Sequence, residues 1–255
     1  MPVSFSVFDA QHWLLAVKEQ WQRCCEPGKV MLVLLPLEYP FPMDQALTAE
    51  EKTRGARFRF LRDRRAFALG RWVVRIILGV DQPPIPFLLQ DGGKPYLSGC
   101  PTFNVSHSGG LVAVALARNA PLGVDIELMR RGSQMTDLIP VVCHPMERLH
   151  IEARCLKDRS AMFYRCWTRK EAILKATGEG LRDDLSSLDV KLEQQHPWIT
   201  SEPLPLKLLD IEVGWEGYSC SLAVDPGITS LDIHSPFQLR QLECFDQTSS
   251  SQYVI

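Results

Sequence analysis

Phe163-Tyr164-Arg165-Cys166-Trp167-Thr168-Arg169-Lys170-Glu171-Ala172-Ile173-Leu174-Lys175-Ala176-Thr177-Gly178 is the stretch around which the chain is organised. Ala172, Leu174 and Ala176 favour helix, and Gly178 supplies a left-handed stop just beyond Thr177. Trp167, Glu171 and Lys175 recur one helical turn apart, so one stripe carries an aromatic ring, a carboxylate and an ammonium. Glu171 precedes Lys175, the favourable order for a helical ion pair. Taken alone, the stripe is a surface ion pair beside a core Trp.

A second stretch, Leu122-Gly123-Val124-Asp125-Ile126-Glu127-Leu128, alternates apolar and acidic residues as a half-buried strand does. Period two sends Asp125 and Glu127 from one face and Val124, Ile126 and Leu128 from the other. Two like charges at that spacing repel. A hard divalent cation accounts for them, because magnesium takes one to three carboxylates and fills its octahedron with water and phosphate oxygens. Glu171 supplies a third carboxylate if its helix crosses the end of this strand. A solvated strand edge is the alternative.

The totals narrow the class. The chain has 255 residues, 45% hydrophobic and 23% charged, which suits one large globular domain or two small ones and excludes a disordered or fibrous protein. A net charge of −2 gives no general reason to expect nucleic acid or an anionic membrane as partner. None of the eight Cys forms a C-x-x-C pair, so they are expected to be reduced thiols serving as small apolar side chains. The opening residues lack a basic start followed by a long apolar run, and Val30–Leu37 is far short of a membrane span. A cytoplasmic protein is expected.

Elsewhere, residues 9–23 predict an amphipathic helix with Trp13, Leu14, Val17 and Trp21 on one side, and Val30–Leu35 a buried strand. Residues 50–79 are rich in Arg, with apolar residues at helical spacing and a stop at Gly79. Such a local basic excess is either a solvated face or a site for a phosphorylated ligand. Asn104-Val105-Ser106-His107-Ser108-Gly109 is either a turn or an anion nest before the apolar strand Leu111–Ala117. Further strands are predicted at 188–192, 206–213, 218–224 and 228–233, and the polar end 247–252 is expected to be mobile.

Gly-Val-Asp-Ile-Glu at 123–127 followed by Trp-Thr-Arg-Lys-Glu-Ala-Ile-Leu-Lys at 167–175 resembles the paired signature of the surfactin-type 4′-phosphopantetheinyl transferases. Gly93-Lys94-Pro95 and the Asn104–Gly109 stretch extend the resemblance, which runs from about residue 50 to about 190. It implies an α+β fold: a pseudo-twofold pair of similar α/β halves in one monomer, divided here into 1–122 and 123–255. It also implies transfer of the 4′-phosphopantetheine arm of coenzyme A to a serine of an apo acyl or peptidyl carrier protein. In that reading Asp125, Glu127 and Glu171 hold magnesium or manganese, and Glu147 takes the serine proton. Lys175 neutralises the pyrophosphate with Lys170 as a second cation. Arg54, Arg64, Lys94, Ser106 and His107 bind coenzyme A, and the segment carrying Arg130 and Arg131 faces the carrier. Two other readings stay open: a coenzyme A-binding regulator without catalysis, and a magnesium-dependent pyrophosphate hydrolase.

Overall fold

The computed structural model describes residues 7–130, 133–180, 184–200, 204–236 and 251–254. In chain order the first elements are α1 (Val7–Cys24), β1 (Lys29–Pro36), α2 (Ala49–Gly55), α3 (Leu61–Leu78), β2 (Leu88–Leu89) and β3 (Pro95–Tyr96). Then come β4 (Thr102–Ser108), β5 (Leu111–Ala117), β6 (Leu122–Leu128), α4 (Ser133–Val142), α5 (Pro145–Glu152) and α6 (Leu156–Thr177). A 3-10 turn at Leu185–Ser187 leads to β7 (Trp198–Ile199), β8 (Leu206–Asp210), β9 (Tyr218–Val224), β10 (Ser230–His234) and β11 (Ser251–Val254). The fold is mixed α+β.

Two compact units divide the chain. One comprises residues 1–88, 95–119 and 228–255; the other comprises 89–94 and 120–227. A plain cut at residue 122 therefore misses three of the four crossings between them. The chain returns at β10, whose backbone pairs parallel with β1 in the first unit, and residues 89–94 belong with the second.

In the first unit the sheet order is β11-β10-β1-β5-β4. Helices α1 and α3 cover it, with Leu14, Val17, Leu69, Val73 and Ile77 packed against Met31, Val33, Leu35, Val112 and Val114. The amphipathic pattern of 9–23 thus forms as predicted, Leu14, Val17 and Trp21 being buried. The basic stretch divides its arginines. Arg75 is buried and donates to both oxygens of Glu51, and Arg71 reaches the same carboxylate at 3.1 Å. Arg65 donates to the carbonyls of Leu37 and Tyr39, fastening the proline-rich loop after β1.

In the second unit the sheet order is β6-β9-β8-β7, and α6 lies on β6 and β9. The two units share a chain path. The first runs β1, α3, β4, β5 with β5 antiparallel between β1 and β4; the second runs β6, α6, β8, β9 with β9 antiparallel between β6 and β8. Both long helices stop on a left-handed glycine, Gly79 at φ 71° and Gly178 at φ 76°.

One strand expectation and one expectation of a mobile end are corrected. Residues 188–192 are irregular, because side chains take the backbone groups a ladder would need. Glu147 accepts from Val190 N, Arg169 donates to the carbonyls of Val190 and Lys191, Lys170 donates to Leu188 O, and Lys191 sits at φ 52°. At the polar end, Ser251–Val254 pair with β10 as β11, while 247–250 lie outside the described residues.

Candidate active site

The site starts from a close approach. An added Cβ on Gly123 of β6 would stand 2.0 Å from the carbonyl oxygen of Ala172 and 2.5 Å from Ala176 N, so α6 rests directly on the strand backbone. The rest of the contact is small as well. Asp125 and Glu127 are paired across the ladder with Ser221 and Ser219, and Thr168 Oγ1 lies 2.9 Å and 3.1 Å from those two hydroxyls. With Thr168, Ala172 and Ala176 turned to the sheet, Glu171 and Lys175 flank the helix where Gly123, Asp125 and Glu127 follow one another along one face of β6.

Lys175 Nζ donates to Asp125 Oδ1 at 2.6 Å. Glu171 is half-buried, and its carboxyl is raised above the usual range by burial and by the charges of Asp125 and Glu127, with Lys175 opposing. Glu171 on the helix therefore lies within electrostatic reach of both acids of the strand. Asp125 is buried at 3% exposure, which counts against the alternative of a solvated strand edge for that residue; Glu127 is half-buried.

The remaining polar residues of the helix hold it in place. Arg169 is buried and grips Asp210 of β8 with two bonds, Nε to Oδ1 at 2.9 Å and Nη2 to Oδ2 at 2.6 Å, while Arg165 adds Nε to Oδ2 at 2.8 Å. Lys170, expected as a second cation for the ligand, is also buried. It donates to the carbonyls of Val142, Leu185 and Leu188 and lies 2.8 Å from Glu147 Oε2. Glu147, expected as the base, is 1% exposed. Its Oε2 accepts from His144 N and Cys166 Sγ, and its Oε1 accepts from Val190 N. Both are corrected to an internal ion pair: a buried ammonium requires a buried counter-charge, and here each satisfies the other.

Lys94 is corrected as well. Its Nζ donates to Leu122 O at 2.8 Å and Ala176 O at 3.4 Å, so it closes the carbonyl end of α6. The glycine ahead of it serves that approach: a Cβ on Gly92 would stand 1.7 Å from Gly178 O. Burial pulls the Lys94 ammonium down to about 8. In the first unit Ser106 and His107 lie within β4, the turn being confined to Gly109 and Gly110; Ser106 is buried and its neighbour His107 is exposed on the opposite face. Arg54 is exposed beside the Phe67 ring, at 5.8 Å. Arg64 is half-buried, and its buried Nε has no hydrogen-bond partner. Arg130 is exposed; Arg131 lies outside the described residues.

The sequence reading missed Asp210, Thr168 and Arg169. The signal for Asp210 was its place at the end of an apolar strand, which is ambiguous without its partner.

The family model described as the 4′-phosphopantetheinyl transferase superfamily matches residues 121–223, which run from the start of β6 into β9. The chain is 33% identical over 183 residues to the 4′-phosphopantetheinyl transferase HetI of a Nostoc species, covering 66% of this chain and 76% of that protein. The chain belongs to the 4′-phosphopantetheinyl transferase superfamily. A 4′-phosphopantetheinyl transferase of Bacillus subtilis is 32% identical over 157 residues, 59% of this chain and 69% of that one. Another, from Bacillus pumilus, is 31% identical over 159 residues, 57% and 64% of the two chains. The part of this transferase-superfamily chain that the family model covers contains the acidic strand, the whole of α6 and the Asp210 anchor. No helix among the described residues is long and apolar enough to cross a membrane.

Proposed function

We propose that this protein moves the 4′-phosphopantetheine arm of coenzyme A onto a serine hydroxyl of an apo acyl or peptidyl carrier protein, releasing adenosine 3′,5′-bisphosphate. The observation that carries the reading is the grouping of Asp125, Glu127 and Glu171 beside Lys175 in a chain of this superfamily.

The donor set fits a hard dication. Three carboxylates offer oxygen ligands of the kind magnesium and manganese take, and the burial and mutual repulsion that raise Glu171 are what a bound cation would offset. Asp125, Glu127 and Glu171 would hold the ion, which when bound supplies charge neutralisation at a diphosphate and polarisation of the phosphorus under attack.

The protein's own groups do the rest. Lys175 keeps Asp125 in place and presents a fixed positive charge where pyrophosphate charge builds up as the bond breaks, a preorganised contact of the kind that dominates phosphoryl-type transfer. Glu171, half-exposed at the group, is the carboxylate we assign to receive the serine proton. Glu147 and Lys170 act as positioning residues, fixing α6 from below so that Glu171 and Lys175 keep their places.

Arg54, Arg64 and the exposed His107 are assigned to the phosphates of coenzyme A, and the unpartnered Nε of Arg64 supports that choice. Leu138, Val141, Met146 and Leu149 are exposed on α4 and α5 and, with Arg130, suit the apolar and acidic surface of a carrier helix. The shared chain path of the two units supports a chain built of two similar α/β halves, and the thiols of the described residues suit a cytoplasmic setting.

Incubation with coenzyme A, magnesium and an apo carrier, followed by intact-mass measurement of the carrier, tests the proposal. Addition of one phosphopantetheine to the carrier is expected. Cleavage of coenzyme A without a carrier would make the protein a hydrolase, and binding with neither reaction a regulator.

A further inference from the structure

Two thiols in the second unit are not used by the site. Cys143, at the bend between α4 and α5, and Cys166, in the middle of α6, are both fully buried. Their sulfurs and a Glu147 carboxylate oxygen all lie within 4.8 Å of one another. Cys166 Sγ donates to Glu147 Oε2 at 3.1 Å. A hydrogen bond with Cys143, then burial and the Glu147 charge, hold the Cys166 thiol well above its ordinary range, so Cys166 rests as the thiol.

A metal ion suits this place poorly. Lys170 Nζ is fixed 2.8 Å from Glu147 Oε2 and also bonds Val142 O, the residue before Cys143. That ammonium stands where a dication would need the carboxylate. A disulfide meets no such obstacle, because two neutral thiols become a neutral bond.

We infer that Cys143 and Cys166 form a reversible dithiol–disulfide site, closed by a peroxide, that links the bend after α4 to α6 and lowers transfer. Only the last clause rests on the function proposed above. Hydrogen peroxide oxidises the Cys143 thiol to a sulfenic acid and leaves as water. Cys166 Sγ then attacks the Cys143 sulfur, its proton passing to Glu147 Oε2 and on to the departing hydroxide, which leaves as a second water. Two thiols and one peroxide thus give one disulfide and two waters.

Entry requires a local opening, and α4 is built for one: Pro140 inside it has no N–H to donate to the preceding turn. Closure draws the sulfurs to about 2.05 Å. Cys143 directly precedes the capping box in which His144 and Glu147 exchange bonds, so the pull reaches the start of α5. At the same time Glu147 loses the Cys166 donor, and the ion pair that seats α6 is disturbed.

The test treats the full chain with hydrogen peroxide, alkylates the remaining thiols, and maps disulfides by mass spectrometry of a digest. The transfer rate is measured before treatment, after it, and after dithiothreitol. We expect a Cys143–Cys166 linked peptide lighter by two hydrogens. The rate should fall at least roughly tenfold, the scale for ångström-level misplacement of a site, and recover on reduction. Cys143→Ser and Cys143→Ala should keep their rates through peroxide. Alkylation of both thiols after exposed Cys155 has been oxidised would overturn the inference, as would a linked peptide with an unchanged rate. A chain inactive before any peroxide would instead refute the functional proposal, and the digest would still decide whether the linkage forms.

Discussion

Lys175 Nζ lies 2.6 Å from Asp125 Oδ1, so the last cation of α6 is held by the first acid of β6 across their contact. The sequence offered Glu171 as its partner, one helical turn away. The strand supplies a closer one, and the pair ties the two signature stretches together. Replacing Lys175 by Ala should lower the transfer kcat by about a hundredfold, the scale for losing one preorganised charge contact. Steady-state kinetics with coenzyme A and an apo carrier measure it. A loss below about threefold would reduce Lys175 to an ordinary ion-pair partner.

Asp125→Asn and Glu171→Gln keep the shape of the site and remove its charge. Each should abolish transfer and the heat of magnesium binding seen by calorimetry, with the circular dichroism spectrum unchanged. Magnesium heat equal to wild type in both variants would show that these carboxylates hold no metal.

Gly123→Ala tests the helix–strand approach. A methyl group 2.0 Å from the Ala172 carbonyl meets backbone, which cannot rotate out of the way. The variant should lose at least about 1–3 kcal/mol, the usual cost of overpacking. A fall in the urea midpoint checks this; an unchanged midpoint would mean that α6 can lift from β6 at little cost.

Glu147 and Lys170 separate positioning from proton transfer. Glu147→Gln leaves a buried ammonium without its counter-charge and should cost about 3–5 kcal/mol. Adding Lys170→Met should restore most of that stability. Transfer should return along with it if the pair only seats α6. Restored stability with no return of transfer would make Glu147 the base after all.

Lys94 gives a pH dependence. Its folded pKa of about 8 lies below the ordinary 10.5 because of burial, so between those values the unfolded chain carries the proton and the folded chain does not. Folding stability contributed by this group therefore rises with pH through that window, by at most about 1.4 kcal/mol per pH unit, and is lowest below pH 8. The stability of wild type relative to Lys94→Met, from urea melts, should increase from pH 7.5 to pH 10; a flat difference would show that Lys94 titrates normally.

The sequence showed the features that depend on neighbours along the chain. The helix ending at Gly178, the alternation that aims Asp125 and Glu127 to one face, and the buried strand Val30–Leu35 all rest on local periodicity and turn chemistry. What it hid depends on distant partners. Lys170 and Arg169 look like any charged residues of an exposed helix, and only Glu147 and Asp210 make them internal. The alternation at 188–192 predicted a strand, but arginine, lysine and glutamate side chains had claimed its backbone. For Ser106 and His107, adjacency in sequence suggested one shared nest, whereas a strand sends neighbours to opposite sides.

The parallel pairing of β10 with β1 has a bearing on how the protein is made. Lys29 to Val33 emerge from the ribosome early, but the partner that covers one flank of that strand, Ser230 to His234, arrives only after the second unit has been translated. Until then the nascent chain carries an open hydrogen-bonding border on a strand that is apolar from Val30 onward, the kind of border that recruits stray strands. Residues 120–227 are complete by that time and free to fold, so the part bearing the acidic group can mature while its neighbour still waits for the last stretch of sequence.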